Sequence, residues 1–214
     1  MSIRQSPRLP LEWSFAVAEI VAETERLRLR EWDDADEARF YAVMNTAPVM
    51  RHLGGVQTPE EWHLAYERIR GFSRVFGHCL WIIEEKATSE LLGFCGLKRV
   101  NSPGAGGLTG TPEIGWRLRE SAWGKGIAKE AAIASLDLAF GRLGFTEAVA
   151  ITVASNRESY GLMERLGMRR REDLDYIDPR FGPELNPSMI WRIEASDWPE
   201  ARKAALRTDR SRAY

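Results

Sequence analysis

Residues 112–131, PEIGWRLRESAWGKGIAKEA, constrain this chain more than any other stretch. Ile114, Trp116 and Leu118 stand at alternate positions, as in a strand with one apolar face. A polar turn then leads to Trp123-Gly124-Lys125-Gly126-Ile127-Ala128, which opens a long apolar-periodic run. Strand, glycine turn and helix N-terminus follow in that order. Small residues at alternate positions, Gly124, Gly126 and Ala128, let backbone approach a ligand, and the first turn of a helix leaves N–H groups without intrahelical partners. Those donors, with the positive end of the helix dipole, suit a phosphate or diphosphate. Short glycine turns also serve as plain connections; the strand-to-helix setting is what points to a ligand.

The spacing excludes the two common phosphate loops. A Walker motif needs Gly-x-x-x-x-Gly-Lys-Ser/Thr, and the dinucleotide fingerprint needs Gly-x-Gly-x-x-Gly with an acidic residue about 20 positions on. The stretch instead resembles motif A of the GNAT N-acetyltransferases, Gln/Arg-x-x-Gly-x-Gly/Ala. Gly126 and Ala128 take the small positions, and Trp123 stands where Gln or Arg is usual. Glu113-Ile114-Gly115-Trp116 ahead of Trp-Gly-Lys-Gly is similar to the branch that holds the ribosomal-protein N-terminal alanine acetyltransferases.

At 214 residues the chain suits one domain, burying about 70% of its unfolded surface. Charged residues make up 29% and the net charge is -1, so no global field favours nucleic acid or an anionic membrane. Cys79 and Cys95 lack metal-ligand spacing and sit in strand-like runs; they read as core thiols in a reducing compartment, with no metal site. The longest apolar runs fall short of the roughly 18 residues of a membrane span. The run from Phe15 to Ala22 is interrupted by Glu19 and preceded by Pro7 and Pro10, so no cleaved signal peptide is expected and the protein reads as cytoplasmic.

Residues 1–23 read as an extension, with Trp13, Phe15 and Val17 alternating like a half-buried strand. Leu27 and Leu29 alternate with arginines in a first strand; Asp33 or Asp34 then caps a helix to about Met44. Thr58-Pro59-Glu60-Glu61 opens a second helix, expected to reach about Arg74. Strands follow at 80–84 and 91–99, with Gly93 and Gly96 marking a bulge or close backbone approach. The helix after the glycine turn is expected to stop at Gly144, and 148–153 reads as a central strand, completing a parallel crossover. Asn156-x-x-Ser159, leading to Glu164-Arg165-Leu166-Gly167-Met168, resembles motif B of the same family. Strands are expected at 169–177 and 188–194, and a solvated, fraying helix in the charged tail 196–214.

The resemblance covers residues 24–195 as one GNAT domain. It implies an α/β fold, a mixed sheet of about seven strands with about four flanking helices. The fourth and fifth strands, here 112–119 and 148–153, would splay to leave a cleft. It also implies acetyl-CoA as co-substrate, its pantetheine arm laddering on the backbone of Trp116 and Leu118 and its diphosphate resting on the amides of Gly124, Lys125, Gly126, Ile127, Ala128 and Lys129. Lys125 and Lys129 fit phosphate contacts and a solvated helix face equally well. Segments 49–55 and 178–187 would wall the amine acceptor.

Acyl transfer to an amine needs an unprotonated nucleophile, a stabilised oxyanion and a proton for the departing thiolate. Glu113 fits either a general base, direct or through water, or an ordinary edge carboxylate. The tyrosine that many family members carry seven residues after the motif B asparagine is Met163 here, which leaves Ser159 as proton donor or helix cap, with Tyr160 as the alternative donor. Asn156 fits a pantetheine contact and a helix cap. The chain reads as a direct-transfer N-acetyltransferase acting on a protein N-terminus or a small-molecule amine. A noncatalytic acyl-CoA-binding module is the alternative, and a homodimer through the extension or the last strands fits either.

Overall fold

A computed structural model describes residues 18–210. Its centre is one mixed sheet, with strands β1 (Ile20–Glu23), β2 (Leu27–Arg30), β3 (Leu80–Glu85), β4 (Leu91–Arg99), β5 (Pro112–Leu118), β6 (Glu147–Thr152), β7 (Arg169–Arg170) and β8 (Met189–Glu194). The eight strands lie in the order β1-β2-β3-β4-β5-β6-β8-β7. β5 and β6 alone are parallel, joined by α4 (Ile127–Phe140) as the crossover. Helices α1 (Asp36–Met44), α2 (Ala47–Met50) and α3 (Pro59–Phe76) lie between β2 and β3, α5 (Arg157–Arg165) follows β6, and α6 (Trp198–Arg210) follows β8.

Local chemistry explains most boundaries. Asp33 Oδ1 accepts the Asp36 N–H at 3.1 Å while Asp36 Oδ2 accepts the Asp33 N–H at 2.9 Å, so these two residues close the turn that leads into α1, whose N-cap is Ala35. Thr58 and Glu61 form a capping box at α3, with Pro59 at the first helical position and Gly77 left-handed at the far end, φ 69°. Gly93 and Gly96 are required by crowding: a Cβ at Gly93 would strike the Arg117 carbonyl oxygen, and one at Gly96 the Cys79 carbonyl oxygen. The core has two layers. Leu136, Ala132 and Ala139 of α4 are fully buried against one face of the sheet. On the other face Phe40 stacks between Trp62 at 4.9 Å and Phe94 at 5.3 Å, binding α1 and α3 to β4.

Several expectations change. The sheet begins with Ile20–Glu23, inside the segment read as an extension, because β1 pairs antiparallel with β2. The alternation at Trp13, Phe15 and Val17 lies outside the described residues. α4 ends at Phe140 with Gly141 as C-cap, one turn before Gly144, and the Phe145 N–H folds back to the Ala139 carbonyl at 2.9 Å. The strand expected over 169–177 is only Arg169–Arg170, because Asp175 Oδ1 takes the Ile190 N–H at 3.1 Å in place of a backbone partner. α6 is docked, not solvated. Trp198 and Ala205 are buried. Trp198 Nε1 donates to Asp137 Oδ1 at 2.9 Å, and Arg202 Nε to the same carboxylate at 2.8 Å, which fastens α6 to α4.

Candidate active site

β5 is paired with β4 along its whole length, from Gly93↔Leu118 to Arg99↔Pro112, and β6 with β8 from Glu147↔Glu194 to Thr152↔Met189. Between β5 and β6 there is one register pair, Glu113↔Val149. Past it no further pair forms, leaving a wedge, and a cavity of about 510 Å³ lies at its open end between β5 and α5, the helix that follows β6. Backbone polar groups on a strand edge need partners, so this opening suits an extended ligand with its own amides. Trp116 and Leu118 line one bank; Asn156 and Ser159 of α5 line the other.

Trp123 Nε1 donates to the Leu118 carbonyl at 2.9 Å, which ties the strand end to the glycine turn. Gly124 and Gly126 then adopt left-handed conformations, φ 72° and 75°, that cost another residue about 1–2 kcal/mol. A Cβ at Gly124 would meet no protein atom within 4 Å. α4 starts immediately after Gly126, which as N-cap offers no side chain to compete for the first amides. Gly124, Gly126, Ile127, Ala128 and Lys129 all line the cavity. This cradle of left-handed glycines at a helix N-terminus fits a diphosphate. The Lys125 side chain is not part of the wall; its carbonyl accepts from Arg26 Nη1 at 2.9 Å. Arg26 also donates from Nε to Glu130 Oε2 at 2.7 Å, and Thr24 Oγ1 to Glu130 Oε1 at 2.5 Å. The connection between β1 and β2 thus clamps both the glycine turn and the first turn of α4.

Asn156 is the N-cap of α5 and accepts the Ser159 N–H at 3.3 Å. The cap therefore belongs to Asn156, and the Ser159 side chain faces the cavity. Tyr160 stacks on Trp191 at 5.7 Å, outside the cavity wall. Glu113 is buried at the vertex of the wedge, its Oε2 bonded to Lys98, and is not a wall residue. Its other oxygen has no hydrogen-bond partner among the described residues.

His52, inside the segment 49–55 expected to wall the acceptor, lines the cavity, and so does Arg117, which the sequence reading passed over. His52 Nε2 accepts from Arg51 Nε at 2.9 Å, so Nδ1 carries the proton and donates to Ser155 Oγ at 3.1 Å. Burial, then the Arg51 charge, lowers the His52 pKa, while Glu158 opposes them. Arg117 lines both the cavity and a smaller hollow beside α1 and α3. Burial lowers its pKa to about 10. Nothing in the EIGWRLRE run distinguished it from the solvated arginines around it. Among the described residues, no group of three or more His, Cys, Asp or Glu side chains is placed to hold a metal ion, and no helix is long and apolar enough to cross a membrane.

Comparison with known proteins gives a consistent picture. A family profile described as an acetyltransferase (GNAT) domain matches residues 26–169. YkkB, an uncharacterized protein of Bacillus subtilis, is 32% identical over 146 residues, covering 68% of this chain and 83% of its own. The crystal structure of an acetyltransferase from Agrobacterium tumefaciens superposes with a TM-score of 0.66 at 26% identity, covering 89% of this chain and 99% of that one. RimJ of Mycobacterium smegmatis, solved in complex with CoA-disulfide, shares the fold at 18% identity and a TM-score of 0.64, covering 86% of this chain and 90% of its own.

Proposed function

This chain belongs to the GNAT acetyltransferase family, and we propose that it transfers the acetyl group of acetyl-CoA directly to a primary amine. The observation that carries the reading is the single-pair junction of β5 and β6, opening onto a cavity that ends at the glycine turn. Acetyl-CoA supplies an activated thioester. The amides of Ile127, Ala128 and Lys129 hold its diphosphate, and the free edge of β5 at Trp116 and Leu118 takes its pantetheine arm. Asn156 fixes α5 so that the Ser159 hydroxyl stands on the opposite bank.

In the transfer the amine nitrogen bonds to the acetyl carbon, the carbon–sulfur bond breaks, the amine loses a proton and the thiolate gains one. An α-amine with a pKa near 8 costs only about 1.4 kcal/mol to deprotonate at pH 7, against about 4.6 kcal/mol for a lysine amine. An α-amine therefore needs little help from a base. Glu113 receives that proton through water, since Lys98 holds one of its oxygens and the cavity wall lies beyond it. Ser159 protonates the leaving sulfur. The buried thiols take no part: Cys95 is pushed up to about 12, and Cys79 is also raised, in both cases chiefly by burial. These unpaired thiols support a reducing, cytoplasmic setting.

A thiol-release assay with acetyl-CoA tests the reading against N-terminal peptides, free amino acids, polyamines and aminoglycosides. Release that depends on the amine supports transfer. Slow release indifferent to every amine would favour a binding module.

A further inference from the structure

The transfer outlined above makes no use of Arg117, yet its guanidinium is a poorly matched charged group of the cavity wall. Nη1 donates to Met50 Sδ at 3.6 Å, a weak acceptor, and Nε is buried with no hydrogen-bond partner. The guanidinium carbon lies 5.2 Å from the Phe94 ring centroid. Among the described residues no carboxylate pairs with it. Arg99 and Arg192 also bury Nε without a hydrogen bond, but Arg192 lies beside the Glu147 carboxylate and Arg99 Nη1 donates to the Gly110 carbonyl at 3.1 Å, while the buried Arg30 is bonded to Asp36 and Glu84. The side chain of Arg117 is half-buried, and the covered edge of its guanidinium lacks a strong acceptor, so the position suits an anion brought by a ligand.

The sheet geometry says which ligand. Trp116 lies opposite Cys95 in register, on the face where Ser135 of α4 touches the Cys95 sulfur at 3.4 Å. Arg117 lies opposite Phe94, on the other face, where Phe94 stacks on Phe40 of α1. The amides that suit the diphosphate begin α4, whereas Arg117 looks toward α2 and its following loop, with Val49, Met50 and His52 nearby on the two pocket walls. Glu113 shares the Arg117 face by strand alternation, and Gly115 between them carries no side chain. One face of β5 therefore presents a carboxylate near the vertex and a guanidinium four positions on.

We infer that Arg117 binds a carboxylate of the acceptor, so that the acceptor is a small amino acid or a similar amine bearing an acid group a few bonds from its nitrogen. This rests on the acyl-transfer reading for the identity of the ligand. Bidentate binding to a planar guanidinium is the usual match for a carboxylate, and charged hydrogen bonds of this kind are worth about 10- to 100-fold in affinity.

The test is equilibrium binding to protein saturated with CoA. N-acetyl derivatives of glycine, leucine, phenylalanine and glutamate are each titrated against the matching carboxamide. At least one acid is expected to bind about tenfold or more tightly than its amide. Arg117→Met should erase that preference, and Arg117→Lys, which keeps the charge but loses the fork, should cut it at least about threefold. If Arg117→Met does not fold, the lysine variant decides by the same criterion. Equal binding of acids and amides, a preference that survives substitution, or a matching loss of CoA affinity, which would assign the cation to the co-substrate, overturns the inference. Thiol release keeps the two claims apart. Amine-dependent release with no preference for acids sinks the carboxylate site alone; no release with any amine, beside acid-selective binding that Arg117→Met abolishes, sinks acyl transfer alone.

Discussion

Phe40→Ala tests whether the helical layer behind the cavity is a rigid wall. Phe40 is 1% exposed, with Trp62 stacked at 4.9 Å on one side, Phe94 at 5.3 Å on the other, and Trp32 tilted against it at 5.0 Å. Truncating a buried phenylalanine costs about 3–5 kcal/mol through lost transfer energy and the cavity left behind. Aromatic pairs add about 0.5–1.5 kcal/mol each, so two lost stacks put this site at the top of the range, about 4–5 kcal/mol. For a chain of this length each kcal/mol moves Tm by about 2–4 °C, giving a fall of about 8–20 °C. Phe40→Leu, which keeps most of the apolar volume, should lose about 1–2 kcal/mol. Urea unfolding followed by fluorescence and circular dichroism measures both. A loss below about 2 kcal/mol for the alanine variant, with an unchanged m-value, would mean that α1 and α3 settle into the gap and that the wall is soft.

Glu113→Gln should lower turnover, by about tenfold for an α-amine at pH 7 and more at low pH; rates unchanged across pH would remove Glu113 from the mechanism. Ser159→Ala should lower the maximal rate by about 10- to 100-fold with acetyl-CoA still bound, and an intact rate would leave solvent to protonate the thiolate. His78 is 1% exposed, its Nδ1 donates to the Leu97 carbonyl at 2.8 Å, and burial lowers its pKa from the ordinary 6.5, with Arg99 adding to the effect. Protons then favour the unfolded chain. Stability should be level above that ordinary value and fall as the pH drops below it, and His78→Asn should flatten the fall in urea midpoints between about pH 5 and 8; identical slopes would rule His78 out as the cause. Gly96→Ala should fail to give stable protein, because its Cβ has only the Cys79 carbonyl and the Trp81 ring to displace; a melting curve like that of the parent would show that β3 and β4 yield easily.

Features written in neighbouring residues were readable from the sequence. The Thr58–Glu61 box spans three positions and the strand–turn–helix of 112–131 is contiguous, so propensity and spacing reveal them directly. Asn156 as the cap of α5 is equally local. What escaped depends on distant partners. Glu130 looks like any helix-face carboxylate until Arg26, 104 positions away, reaches it. α6 reads as a charged, solvated helix because Asp137, which receives both Trp198 and Arg202, belongs to α4. Arg117 follows the same rule in reverse: what marks it is that no carboxylate pairs with it among the described residues, and a sequence records no absences of that sort. Glu113 was placed on the right strand, but strand periodicity says nothing of how far a side chain stands from a cavity or that Lys98 sits across from it.

The lone register pair between β5 and β6 divides the sheet into two blocks, β1–β5 and β6–β8, joined by a thin seam beside the proposed binding cleft. An occupant gripping both banks acts as a rivet as well as a reactant. On the proposed reading, occupancy and the mechanical unity of the sheet would rise together, and product release would loosen the same seam.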